Sequence, residues 1–314
     1  MRRISMLQNS SIVLLWYWML VMIAVQASIV EQNFILSVAV NLPDHWQESG
    51  YKLFIQTAKD HIPGVRIVMF VGAEVPVETI GEMTQLSIDI QTFEHVEQRH
   101  PNMQRWYVIL PFLQQNYQRM HKVVFCDARD LYFQGDPFSL LLNPSVSKPQ
   151  LLVGLEGHPT RNMKVTLGTE RYMRYKIQHC FGKEELEHVS NFPVACAGFT
   201  LGAPKALLAL ARKIVMTQQV SCPNYTLGDQ GIVNVVLARS VGMTESASFA
   251  VQRLRNGQMV LHLALLRKRR GVFAMNGTKL TSAQGLHVFP VVHQYDRIGS
   301  VKAHALSLLK RGKA

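Results

Sequence analysis

The sequence predicts an α/β fold in which helices flank a mainly parallel sheet. Three observations predict it. Mainly apolar runs at 34–42, 65–71, 123–127 and 151–155 read as buried strands of a parallel sheet. Stretches of helical apolar spacing lie at 46–61, 103–120, 204–217 and 229–238. Strand and helix alternate along the chain, the order that parallel strands with right-handed crossovers require.

Each element has a local reason. The strand at 34–42 ends at Pro43. The helix at 46–61 places Tyr51, Phe54, Ile55 and Ala58 on one face. Residues 86–93 alternate through Leu86, Ile88 and Ile90, a strand with one wet face. The helix at 103–120 contains Pro111, which is expected to kink or split it. From 158 to 191 charged and aromatic residues follow one another without a clean period, which suggests an excursion from the core. A strand is expected at 199–201. Pro204 sits in the first turn of the helix at 204–217, and Gly228-Asp229 opens the helix at 229–238. A last short strand at 286–292 delivers His293. No internal repeat, low-complexity tract or linker divides the chain. The expected partition is a targeting segment, 1–30, and one domain, 31–314.

The segment 123–138 carries the most chemistry. It reads Val-Val-Phe-Cys-Asp-Ala-Arg-Asp-Leu-Tyr-Phe-Gln-Gly-Asp-Pro-Phe. A buried strand runs straight into Asp127, with Asp130 three residues on and Asp136-Pro137 closing the segment as a turn. Open α/β sheets bind ligands at the carboxyl ends of their strands. Two carboxylates there suit a hard divalent cation, and a cation there suits a diphosphate.

This segment resembles the Asp-x-Asp metal signature of GT-A fold glycosyltransferases, which use nucleotide-diphosphate sugars. It is a variant: Arg129 stands at the second aspartate's position, and Asp130 follows one residue late. Trp106 to Leu110 resembles the family's nucleotide-side helix. Ala197-Gly198-Phe199 resembles a segment near the acceptor site. Asp229-Gln230 resembles a helix opening, and His293 stands where several such enzymes supply a last metal ligand. The resemblance spans 34–297.

It implies a Rossmann-like GT-A fold and a manganese or magnesium ion held by Asp127, Asp130 and His293. Asp130 is the expected direct ligand, and Asp127 alternatively holds the ribose or a metal-bound water. Arg129 either faces the diphosphate, which its bidentate fork fits, or pairs with Asp127 or Asp136. If it neutralises the carboxylates, the enzyme is metal-independent. Arg105 and Tyr107 are expected to face the nucleotide. Asp229 is the candidate for acceptor-side proton transfer, with Glu156 second. Asp229 also suits a helix cap. The implied activity is hexosyl transfer from a nucleotide-diphosphate sugar, UDP-linked by preference, to a glycan, glycoprotein or glycolipid hydroxyl. The alternatives are a nucleotidyltransferase on the same scaffold and a non-catalytic sugar-nucleotide or glycan-binding relative.

Composition bounds the partners. A formal net charge of +12 over 314 residues favours anionic ones. The run Arg267-Lys268-Arg269-Arg270 reads as a solvated loop, and no nucleic-acid-binding module is present in the sequence. Neither a dinucleotide fingerprint nor a P-loop occurs. Arg2 and Arg3 precede an apolar run at 12–25, which reads as a cleaved signal peptide or a type II membrane anchor. Either places the body in the secretory lumen, Golgi or endoplasmic reticulum. Asn224-Tyr225-Thr226 and Asn276-Gly277-Thr278 are glycosylation acceptors in that setting. Cys126 reads as a packed thiol. Cys180, Cys196 and Cys222 offer one disulfide whose pairing sequence does not choose.

Overall fold

The computed structural model describes residues 32–39, 42, 46–96, 100–140, 146–157, 165–223, 227–242, 248–266 and 272–311, together with Trp16 and Trp18. Its centre is a seven-stranded sheet. In chain order its strands are β1 (Gln32–Ala39), β2 (Arg66–Gly72), β3 (Asp89–Phe93), β4 (Met120–Cys126), β6 (Gln150–Leu155), β7 (Ala195–Gly202) and β8 (Ala250–Leu254). A short β5 (Leu131–Phe133) belongs elsewhere. Across the sheet the order is β3-β2-β1-β4-β7-β6-β8. All neighbours run parallel except β7, which is antiparallel to both β4 and β6.

Successive strand residues point to opposite faces, so each apolar run feeds two cores. Phe34, Leu36, Val68, Phe70, Val123 and Phe125 pack on one side. They meet α3 (Pro101–Asn116), α5 (Pro204–Ser221) and α6 (Gln230–Gly242). Ile35, Ile67, Met69, Val124 and Cys126 pack on the other, against α1 (Gly50–His61) and Met83 of α2 (Val77–Gln85). Between these come α4 (Arg171–Val189) and, at the end, α7 (Gly299–Arg311).

Pro111 does not split its helix into two; α3 runs through it to Asn116. Pro111 is exposed, while Met103, Trp106, Ile109 and Leu113 anchor the opposite side in the core. That burial offsets one missing backbone bond. The stretch without a clean period contains α4, broken at Gly182 by a φ of 84°. A disulfide joins Cys180 on α4 to Cys222 at the end of α5, leaving Cys126 and Cys196 as buried thiols.

A second, three-stranded sheet places β12 (Val291–His293) between β5, antiparallel, and β9 (Val260–His262), parallel. A hairpin, β10 (Phe273–Asn276) and β11 (Lys279–Ser282), turns at the second glycosylation acceptor.

The expectation of a membrane anchor, and of the secretory placement tied to it, is corrected. Among the described residues no helix is long and apolar enough to cross a membrane. The segment 1–30 on which that expectation rested lies outside the described residues except for Trp16 and Trp18. So do Asn224-Tyr225-Thr226 and Arg267 to Arg270.

Candidate functional site

From β1 the chain moves to β2 and β3 on one side, then returns to place β4 on the other. A crevice opens where a sheet's winding reverses in this way. Asp127 directly follows β4, and its backbone N–H donates to Gly198 O on β7 at 3.0 Å. The cleft of about 360 Å³ at this point is lined by Tyr51, Arg105, Asp127, Arg129, Asp130 and His293, among others. The expected residues Asp127, Asp130 and His293 therefore meet. One ligand atom from each lies within 4.8 Å of the others.

His293 arrives through β12. Its Nε2 is 3.3 Å from Asp127 Oδ2 and 3.6 Å from Asp130 Oδ1. Asp130 is pinned by its own backbone: its carbonyl accepts from Gln294 N at 2.7 Å. Gly198 provides the space. A Cβ there would stand 2.3 Å from His293 Cε1 and 2.6 Å from Asp127 Oδ2. Two carboxylates and one imidazole, converging over a glycine at a strand end, fit a divalent cation of the magnesium or manganese kind.

Arg105 organises the other side. It is buried on α3 and donates to Asp229 Oδ2 through Nε at 2.8 Å and Nη2 at 2.6 Å. Nη1 reaches Asp127 Oδ1, and Nη2 also donates to Ala197 O at 3.0 Å. Trp106 Nε1 donates to the same Asp229 oxygen at 2.6 Å. Burial works to raise the Asp127 carboxyl, but Arg105 and His293 overcome it and hold the group well below the carboxylate range. Burial likewise works against the His293 imidazolium. Cys196, Asp127 and Asp130 outweigh it and raise the histidine well above its ordinary value. Tyr51, on the cleft wall, is pushed up to about 12 by burial.

The remaining expected residues divide. Arg129 reaches the cleft, 62% exposed, with Nη2 3.6 Å from Asp130 Oδ2. Asp136 caps the turn after β5 and accepts from Phe138 N at 2.8 Å. Tyr107 does not line the cleft; it donates to Gln218 on α5. Residues two apart on a helix face different ways, so Arg105 and Tyr107 do not share a ligand. Asp229 is 1% exposed, and three donors meet its Oδ2. Asp229 is nonetheless among the residues that line the cleft. Glu156, at the end of β6, accepts from Gln230 Nε2 at 2.7 Å, and burial raises its carboxyl.

His262 was not expected. It pairs with His293 across β9 and β12, with their Nδ1 atoms 3.1 Å apart. The local clue was a shared pattern: Val-Leu-His at 260–262 and Val-Val-His at 291–293 are apolar runs each ending in histidine. Cys196, read only as a disulfide candidate, sits 3.5 Å from His293 Nδ1. Comparison with models of known protein families gives no match, and no curated protein matches the chain.

Proposed function

We infer that this chain is a GT-A-type glycosyltransferase that moves a hexosyl group from a nucleotide-diphosphate sugar to an acceptor hydroxyl, with residues 31–314 acting as its catalytic domain. The observation that carries the reading is the convergence of Asp127, Asp130 and His293 where the sheet's winding reverses, in a cleft also lined by Arg105, Arg129 and Arg297. Carboxylates alone would repel a diphosphate. A cation at the three ligands, with guanidinium groups beside it, reverses that sign.

A divalent ion held by Asp127, Asp130 and His293 would supply Lewis acidity to the departing diphosphate. The protein does the rest. Arg129, exposed on the cleft wall, gives a diphosphate oxygen two parallel N–H donors. Arg105 keeps Asp127 ionised and fixed, and Asp229 and Ala197 O fix Arg105. Asp229 is thus a positioning residue in this reading. Glu156, whose carboxyl is raised by burial, is the carboxylate this reading assigns to acceptor-side proton transfer, from just outside the cleft lining.

Calorimetric binding of UDP and GDP, with and without Mn²⁺, tests the reading on wild type and Asp130→Ala. The expected result is manganese-dependent UDP binding that the variant loses. No nucleotide binding under any condition would refute it. Binding without transfer or hydrolysis of UDP-hexoses would replace it with a non-catalytic binding role.

A further inference from the structure

Behind the cleft lies a second ligand set. One ligand atom from each of Cys196, His262 and His293 lies within 4.8 Å of the others, and the three residues are 5%, 2% and 1% exposed. The His262–His293 separation is 3.1 Å and the Cys196–His293 separation 3.5 Å. Zinc bonds of about 2.0 Å to nitrogen and 2.3 Å to sulfur, at tetrahedral angles, set such pairs about 3.3 and 3.6 Å apart. The spacing matches before any ion enters. One thiol and two imidazoles are also a softer set than two carboxylates and one imidazole.

His262 adds an independent observation. Its Nε2 is buried without a hydrogen-bond partner, facing Gly154, where a Cβ would stand 2.4 Å away. Gly154 makes room for the ring, which is held with Nδ1 toward His293. Cys196 and His293 both line the cleft, which gives an ion a way in and a position for a fourth ligand.

We propose that Cys196, His262 and His293 form an inner site for zinc or a similar borderline-soft divalent ion, and that filling it removes His293 as a ligand for an outer ion at Asp127 and Asp130. A neutral imidazole has one lone pair. With the inner ion on Nδ1, Nε2 keeps its proton and donates to Asp127. Ion entry releases the Cys196 thiol proton and the proton shared between the two facing Nδ1 atoms to solvent, and nothing is oxidised or reduced. The second half of the proposal rests on the outer-site reading above; the inner site does not.

Cobalt(II) titration of the metal-stripped full chain is the test, read by its thiolate-to-cobalt absorption in the near ultraviolet. Wild type is expected to bind one inner cobalt with that absorption, and zinc to displace it. Cys196→Ser and Cys196→Ala should lose the absorption while melting as one transition. Asp130→Ala should keep it. Absence of the absorption in wild type, its survival in both Cys196 variants, or its loss in folded Asp130→Ala would overturn the inner site. Zinc should also raise the manganese concentration needed for half-maximal UDP binding in wild type, and no such rise would overturn the competition. If manganese-dependent UDP binding is absent while the cobalt absorption is present, the outer reading fails and the inner site stands.

Discussion

Arg105 grips Asp229 through two nitrogens, at 2.8 and 2.6 Å, while its third nitrogen reaches Asp127. One guanidinium thereby links the opening of α6 to the end of β4. Arg105→Ala would leave Asp229 buried as an unpaired charge, which costs about 3–5 kcal/mol. Urea denaturation should register that loss, and the double variant Arg105→Ala/Asp229→Asn should recover part of it. A double variant no more stable than the single one would mean that the pair is not coupled.

Gly198→Ala would place a methyl group against the His293 ring and the Asp127 carboxylate. Overpacking of this kind costs about 1–3 kcal/mol. Manganese-dependent UDP binding should weaken at least about tenfold, equivalent to about 1.4 kcal/mol. Unchanged calorimetric affinity would remove Gly198 from the site.

Glu156 makes stability depend on pH. Its carboxyl is raised above the unfolded value of about 4.3, because burial penalises the charged form. The folded state therefore binds the proton more tightly. The stability this provides is complete below about pH 4.3 and is lost as pH rises through the folded value. Glu156→Gln removes the ionisation. Its melting temperature should gain on wild type between about pH 4 and pH 8, whereas a constant offset across that range would contradict the assignment.

Arg129 is exposed, so its 3.6 Å pairing with Asp130 contributes little to stability, at most about 1 kcal/mol. Arg129→Ala should melt close to wild type yet bind UDP more weakly at saturating manganese. Equal UDP affinity in the two proteins would remove Arg129 from diphosphate binding.

The Cys180–Cys222 bond closes a loop with a sequence separation of 42 residues. Replacing both cysteines by serine should lower unfolding free energy by about 2–4 kcal/mol. If the double variant unfolds at the wild-type urea concentration, the bond does not restrain the unfolded chain.

β1, β2, β4 and β6 were legible because they are mainly apolar, and the outer ligand set because two of its members end apolar runs, whereas β8, with Gln252 and Arg253 in its five residues, was not expected. β1, β2, β4, β6, α1, α5 and α6 all formed within a few residues of their expected limits. Other elements gave weaker signals. α2 buries only Met83, and β9, β10 and β11 have three or four residues each. Segments that short show no period. Tyr51 was read as core, and it also walls the cleft because α1 begins beside the site. Gly50 explains that approach: a Cβ there would overlap the Arg129 carbonyl. His262 was missed because only the parallel register of β9 and β12 puts it beside His293.

That register also bears on how the protein is made. Asp127 and His293 are 166 residues apart, and β12 must slot between β5 and β9 before the histidines meet. A ribosome releasing this chain from its amino end exposes the acidic pair long before the imidazoles exist. Truncation ahead of Val291 would leave every strand of the large sheet in the polypeptide but no histidine at Asp127. The three-residue cluster is therefore assembled only after His293 has been made, and fragments that stop before Val291 lack one of its members.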